Sequence, residues 1–490
     1  MNEILNQLKP EGVWHYFGEI LRIPRPSKKE EKIREYLLAF EREHRLETIA
    51  DETGNVLIRK PATPGMENRQ GVILQAHMDM VCEKNADSKH NFDTDPIEVH
   101  IEDGWLKAKD TTLGADNGIG CAFGLAVLAD DSLVHGPLEC LFTVDEETGL
   151  TGAFGLKPGF LQGKILLNLD SEDDGQFFIG CAGGIDTLAE VPVQTEARPQ
   201  SHTRAYTLQV SGLKGGHSGD DINQGLGNAN KFLVRFLCAQ TAPLSLRVSD
   251  LHGGNLRNAI AREASATVVL PEDRVQTLLE TVAHYEAVLK REFKTEPNLR
   301  VQAVAAALPE KVWALDRQTR FCDAMFACPH GVLRMSSDIP NFVETSTNLA
   351  SMHYEPENGL IRLSTSQRSS VESAKVAAAE RIAACFRLIG TDVRISHSDG
   401  YPGWTPDPAS PILKICTDTF RELFHEEPLT LAIHAGLECG LFATKYPGMD
   451  MVSYGPTMRG VHSPDERLLI DTVERCWRLT VEILKRIPVK

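Results

Sequence analysis

The chain has 490 residues, 42% of them hydrophobic and 24% charged, and a formal net charge of −17 at pH 7. That length exceeds what one hydrophobic core sustains, so two domains are expected. The negative charge argues against nonspecific binding to nucleic acid or anionic membrane, and no apolar run is long enough to span a bilayer.

From the N-terminus, residues 30–41 carry apolar side chains at helical spacing, and G-V-I-L-Q-A-H-M-D-M-V (71–81) reads as a buried strand. Asp116 precedes Asn117-Gly118 and an apolar helix rich in small residues. L-E-C-L-F-T-V (138–144) and K-I-L-L-N-L (164–169) read as two more buried strands. This alternation predicts an α/β domain with an open sheet flanked by helices, with ligands gathering at the carboxyl ends of its strands.

The turn-rich stretch T-E-A-R-P-Q-S-H-T-R (195–204) is a candidate hinge. Beyond it lie a strand, a helix near 223–240, a strand at 264–270, a helix near 272–292, an alternating strand at 360–368 and an Ala-rich helix at 371–389. A second turn-rich stretch, 397–406, precedes a helix at 410–425, a strand at 450–454 and an amphipathic helix at 464–486. The expected organisation is one discontinuous domain, 1–194 and 400–490, interrupted by an inserted α+β domain at 195–399. Eleven cysteines without C-x-x-C spacing read as reduced structural thiols. The opening M-N-E-I-L-N-Q-L-K-P lacks the segments of a secretory signal, so a cytoplasmic location is expected.

Five possible metal ligands recur in short motifs: His77 in Q-A-H-M-D-M, Asp116 in L-G-A-D-N-G, Glu147 in V-D-E-E-T-G, Asp170 in L-N-L-D-S and His462 in V-H-S-P-D-E. Two imidazoles and three carboxylates suit a pair of zinc-like ions. Asp79 lies two residues beyond His77, on the same face of a strand, where it can accept the imidazole N–H and set its tautomer. Glu146 stands beside Glu147, where a water-activating base is wanted; the bland alternative is a solvated acidic turn. Asp116 reads equally well as a helix N-cap or as a carboxylate bridging two cations.

Taken in this order, the motifs resemble the dinuclear-zinc metallopeptidases that include aminoacylases, carboxypeptidases and carnosinases. The inserted block extends the resemblance through S-G-L-K-G-G-H-S-G-D-D-I (211–222) and H-G-G-N-L-R-N-A-I-A-R-E (252–263). It implies a binuclear centre with two Zn2+ per subunit, cobalt or manganese being able to substitute. In that scheme His77 and Asp170 hold one ion, Glu147 and His462 the other, and Asp116 bridges them. Asp79 orients a ligand, Glu146 is the general base and acid, and the peptide bond after Asp116 is cis. The inserted domain acts as a lid for substrate recognition: His217 stabilises the oxyanion, Asn258 lies near the same centre, Arg368 holds the substrate carboxylate, and Gly436 belongs to a substrate loop. The implied activity is hydrolysis of dipeptides, preferentially before a C-terminal histidine, by a homodimer that engages neither nucleic acid nor membrane. A related N-acyl amino-acid deacylase or an exopeptidase for longer peptides is the alternative. A noncatalytic descendant is disfavoured because no ligand or base is missing.

Overall fold

The run V-I-L-Q-A-H leaves no side chain that gains from solvent except Gln75 and His77, and it forms a strand, Val72–His77, buried at every position. Parallel neighbours flank it on both sides, Leu138–Thr143 and Ile165–Asn168. Near-continuous apolar strands of this kind belong at the centre of a covered sheet. The computed structural model describes residues 3–200 and 202–490, which fall into two compact units, 1–180 with 406–432 and 437–490, and 181–405 with 433–436. Among the described residues, no helix is long and apolar enough to cross a membrane.

The first unit is built on an eight-stranded sheet. Its order is Glu47–Ala50, Val56–Lys60, Leu138–Thr143, Val72–His77, Ile165–Asn168, Asp450–Ser453, Gln176–Cys181 and Leu429–Ile433. Asp450–Ser453 continues the parallel set, whereas Val56–Lys60 and Gln176–Cys181 join antiparallel. The sheet is therefore mixed. Register places His77 opposite Thr143, Gln75 opposite Asn168 and Asn168 opposite Ser453, which brings the carboxyl ends of four strands to one edge. Asp79, Glu146, Glu147 and Asp170 lie just past those ends.

The helix Ala115–Ala129 is buried almost all round, and its small residues allow that. A side chain at Gly120 would begin 2.5 Å from the Leu169 carbonyl oxygen, so this helix can lie close to the segment carrying Asp170. A four-stranded sheet, Met458–Arg459, Arg467–Leu469, Trp105–Ala108 and Val99–Glu102, is absent from the sequence reading. It also shortens the last helix to Ile470–Arg486, because 467–469 pair with 105–107. The loop bearing His462 is thereby pinned between two paired strands.

The second unit is α+β. Nine strands form an antiparallel sheet, and helices Ala229–Gln240, Val275–Glu292, Leu315–Ala327 and Glu372–Arg387 share one apolar cluster with it, including Phe232, Phe236, Leu278, Trp313, Phe321 and Phe386. The boundaries differ from the sequence reading. The chain enters this unit at 180/181, because Gly183–Pro192 pairs with Leu360–Ser369 along its whole length. The polar stretch near 197 lies inside the unit, as Thr195–Ala197 pairs with Lys311–Trp313. The short segment 433–436 also belongs here: the Ala182 amide donates to the Ile433 and Ala435 carbonyls. Cys82, Cys121, Cys140, Cys238, Cys322, Cys328, Cys385, Cys416 and Cys476 carry free thiols.

His330 in this unit accepts the Leu349 amide at Nδ1, 3.4 Å away, an arrangement open only to a neutral ring. Burial and the Lys231 ammonium push its pKa down to about 4. Below about pH 6.5 the unfolded chain therefore takes up a proton that the native ring refuses. Stability to urea should decline as the pH falls from 6.5 to about 4, and His330→Asn should flatten that decline.

Candidate metal centre and an arginine pocket

Asp116 stands at the middle of the first unit's candidate site. Its peptide bond to Asn117 is cis, its backbone is extended rather than helical, and its carboxylate oxygens face imidazoles rather than the amides of the helix that follows. Its two oxygens are divided. Oδ1 lies 3.1 Å from His77 Nε2, and Oδ2 lies 3.1 Å from His462 Nε2. His77 Nε2 is also 3.4 Å from Asp170 Oδ1, and His462 Nε2 is 3.0 Å from Glu147 Oε2. Two clusters with potential ligand atoms close together thus share Asp116: His77, Asp116 and Asp170, and Asp116, Glu147 and His462.

Donors 2.0–2.1 Å from one tetrahedral ion lie about 3.3 Å apart, close to all four separations. The other Glu147 oxygen, Oε1, is buried without a hydrogen-bond partner among the described residues, an expensive condition for a carboxylate unless a cation completes it. The donor set, two imidazoles and three carboxylates, fits zinc-class ions. Burial opposes charge on His77, yet Asp170, Asp116 and Asp79 raise its pKa well above the usual value. Burial also pushes Asp170 up to about 6, with the His77 charge acting against it. The cluster carries more negative charge than its protein neighbours neutralise.

Asp79 is fully buried and joins two parts of the site. Oδ1 faces His77 Nδ1 at 3.2 Å and accepts the Glu146 amide at 3.1 Å; Oδ2 accepts the Ser27 hydroxyl at 2.8 Å and the Glu147 amide at 3.3 Å. One carboxylate thus orients the imidazole and the turn carrying both glutamates. Burial, reinforced by Asp170, Glu438 and Glu147 and opposed by His77, raises the Glu146 pKa well above the ordinary range, as a proton acceptor and donor needs. Asp145 takes no part in the cluster, since its carboxylate is occupied by the Thr148 and Thr151 hydroxyls. Three successive acids therefore do not all crowd one point.

Several contributors carried no assigned role in the sequence reading. Glu466, 2% exposed, accepts the amides of Leu113, Gly114, Ala115 and Asp116 at 2.7–3.2 Å. It lies four residues beyond His462 in the same motif, the one signal by which it could have been found. Arg25, equally buried, donates to the Met78, Asp79 and Gly114 carbonyls and tethers the strand end bearing His77 to the Asp116 turn; nothing local marks it. Asn117 donates to the Leu169 carbonyl and to Asp170. Glu438 accepts from Gln75 Nε2 at 2.6 Å and Thr143 Oγ1 at 2.7 Å, and burial pushes it up to about 8.

The remaining sequence candidates lie in the second unit. Arg368, on the strand Leu360–Ser369, is 7% exposed. Its Nη1 donates to the Tyr401 hydroxyl at 3.0 Å, its Nη2 lies 3.5 Å from His217 Nε2, and its Nε has no partner. Among the described residues, no carboxylate forms an ion pair with it. A buried guanidinium that forms no ion pair of its own is suited to receive an anion. Asn258 is exposed and lines the same small cavity of about 120 Å³ with Arg368, Arg257, Asp186 and Tyr401. His217 is held at Nδ1 by Asp220, 3.1 Å away. Gly436 has a steric part, because a side chain there would begin 2.9 Å from the Tyr401 ring. Tyr401, Arg257 and Asp186 are residues of this pocket that sequence reasoning missed. His434, at hydrogen-bond distance from Ser346 Oγ (2.7 Å), is kept neutral by burial and by Arg368, its pKa pushed down to about 3.

A mixed α/β sheet whose carboxyl edge carries two His–carboxylate clusters around a shared aspartate, with a half-buried glutamate beside them, has the form of a metallohydrolase. The chain belongs to peptidase family M20/M25/M40, whose model matches residues 73–486, a metal-dependent family. It is 45% identical over 487 residues to the cytosol non-specific dipeptidase of Escherichia coli (strain K12), covering 99% of each chain. It is similar to a crystal structure of aminoacylhistidine dipeptidase from Vibrio alginolyticus, with TM-score 0.93, 45% identity and full coverage of both chains. A Staphylococcus aureus tripeptidase structure shares the fold, with TM-score 0.57 at 16% identity over 98% of this chain and 99% of that one.

Glu466→Gln keeps the volume and removes one acceptor oxygen from the four amides that shape the Asp116 turn. Metal affinity, measured by competition with a chelator, should fall about 10- to 100-fold while the circular dichroism spectrum is unchanged.

Proposed function

We propose that this protein is a metal-dependent dipeptidase that cleaves Xaa-His dipeptides, β-alanyl-histidine among them. His77 and Asp170 would hold one divalent ion, Glu147 and His462 a second, and Asp116 both; zinc suits this donor set, with cobalt or manganese able to substitute. Bound there, such ions supply Lewis-acid activation of a water and of the scissile carbonyl. Support comes above all from the two Asp116 oxygens, divided between His77 and His462.

Glu146 is the proton carrier. Its carboxylate accepts the proton of the attacking water at Oε and passes it to the departing amine, so that the leaving group departs neutral. Asp79 keeps His77 in one tautomer and sets the Glu146 turn through two amide hydrogen bonds. His217 donates a hydrogen bond to the oxyanion that forms when the carbonyl is attacked. Arg368 and Tyr401 bind the free C-terminal carboxylate, and Asn258 borders that pocket. A guanidinium with no ion pair among the described residues suits a substrate that carries a free C-terminal carboxylate, and on this reading dipeptides are favoured over tripeptides. The names of the Escherichia coli and Vibrio alginolyticus relatives agree with this choice. We assign it to the cytoplasm as a homodimer by the same likeness.

The test is turnover of Gly-His, β-Ala-His, N-acetyl-His, Gly-Gly-His and the C-terminal amide of Gly-His by metal-stripped protein, before and after adding zinc. Zinc-restored cleavage of the first two alone is expected; cleavage of the acetylated compound or the tripeptide would overturn the dipeptidase assignment. Glu146→Gln should lower kcat by about 10²- to 10⁴-fold with metal content unchanged. Arg368→Ala should raise KM for Gly-His about 10- to 100-fold and leave the amide, already a poor substrate, unaffected.

A further inference from the structure

The nine-stranded sheet of the second unit consists of two blocks joined along a thin seam. Arg247–Gly253 meets Val343–Glu355 through two register pairs, His252 opposite His353 and Gly253 opposite Met352. By contrast, Val343–Glu355 and Leu360–Ser369 share ten. The first pair of the seam sets two imidazoles face to face on the sheet surface.

Their Nδ1 atoms are 3.4 Å apart, with the rings inclined at 41° and their centroids separated by 5.7 Å. Asp250, two residues before His252 on the same strand, places Oδ1 3.0 Å from His252 Nε2. Its carboxylate accepts a hydrogen bond from the Nε2–H, which leaves the lone pair of the neutral ring on His252 Nδ1, the atom facing His353. A nitrogen–nitrogen separation of 3.4 Å is long for a hydrogen bond. Two nitrogens on one tetrahedral ion, each bonded at 2.0–2.1 Å, lie about 3.3 Å apart. A carboxylate on the outer nitrogen of a histidine is also the arrangement that tunes metal-binding imidazoles. Burial and the nearby His252 lower the pKa of His353, against the pull of the Gly254 carbonyl, and so favour the neutral ring that can ligate. Both rings open on a cavity of about 750 Å³ that also exposes Asn255, Glu263 and Ser265, with room for water to complete a coordination shell.

We propose that His252 and His353 form a second, separate site for a zinc-class divalent cation, with Asp250 fixing the tautomer of His252, and that the bound ion fastens the two blocks of the sheet at their seam. This site uses none of the residues assigned to peptide hydrolysis. It therefore stands whether or not that assignment does.

The test is zinc content per chain and melting temperature of the zinc-loaded protein, dialysed against a series of micromolar zinc chloride concentrations, beside His252→Ala, His353→Gln and Asp250→Asn. The parent should hold one more zinc per chain than either histidine variant. Its melting temperature should rise with zinc over a range in which theirs does not, and all three chains should turn over dipeptide equally, a sign that the variants fold. Asp250→Asn should retain the extra ion with affinity about 10- to 100-fold weaker. Equal zinc content and equal thermal response in parent and histidine variants would overturn the proposal. So would loss of turnover in step with the lost zinc, which would place that ion in the catalytic centre instead.

Discussion

The first unit is organised around uncompensated negative charge at the carboxyl edge of a buried sheet. Asp79, Asp116, Asp170, Glu146 and Glu147 converge there, and the nearby cationic candidates are two imidazoles; Arg25 spends its guanidinium on carbonyl oxygens. Carboxylates held out of water repel one another and either take up protons or recruit cations. The divided Asp116 carboxylate, the shared Asp79 and the Glu147 oxygen that has no partner among the described residues all belong to an arrangement that a pair of divalent ions would complete. Other features of this unit keep that arrangement in place.

Rigidity comes from polar groups that never touch the cluster's open side. Glu466 gathers four consecutive amides of the Asp116 turn, Arg25 ties that turn to the end of the His77 strand, and Asn117 reaches the segment of Asp170. Each joins two stretches distant in sequence, so the ligand spacing depends on contacts made only after the sheet has assembled. Beneath the edge, Asn168, Gln75, Thr143 and Glu438 form a hydrogen-bonded row across three strands. Buried polar groups linked in this way favour one packing over its neighbours, because any slip leaves several of them unsatisfied.

The second unit uses the opposite charge logic. Arg368 is buried beside a tyrosine hydroxyl and an imidazole, and no carboxylate among the described residues forms an ion pair with it. Gly436 and Gly184 make room for the Tyr401 ring that receives one arm of the guanidinium. A site that withholds its counterion gains selectivity for a ligand carrying one, at a cost in stability that the broad apolar core of this unit offsets. Its sheet, long in most pairings, is thin where His252 meets His353. Two titratable rings therefore occupy the position where extra fastening has the greatest effect.

Much of this was legible in the chain. Apolar runs ending in His77-Met78-Asp79, in Glu146-Glu147 and in Asp170 announced both the strands and the chemistry at their ends, because burial and strand periodicity are local properties. The motif resemblance marked Arg368, His217, Asn258 and Gly436, and the structure draws the first three around one pocket or hydrogen-bond cluster. The limits of the two units were read less well, since Gly183–Pro192 and Thr195–Ala197 look like the end of one domain and a hinge until their partners at 360–369 and 311–313 are known. The hairpin at 99–108 and its pairing with 467–469 escaped for the same reason, as did Arg25, Glu466 and Tyr401. Sequence alone determined which groups could bind metal and which strands would deliver them, for those depend on side-chain chemistry and local pattern. The resemblance implied a shared Asp116, but only the tertiary structure decided which oxygen turns to His77 and which to His462, because that division rests on contacts between residues 39 and 346 positions apart.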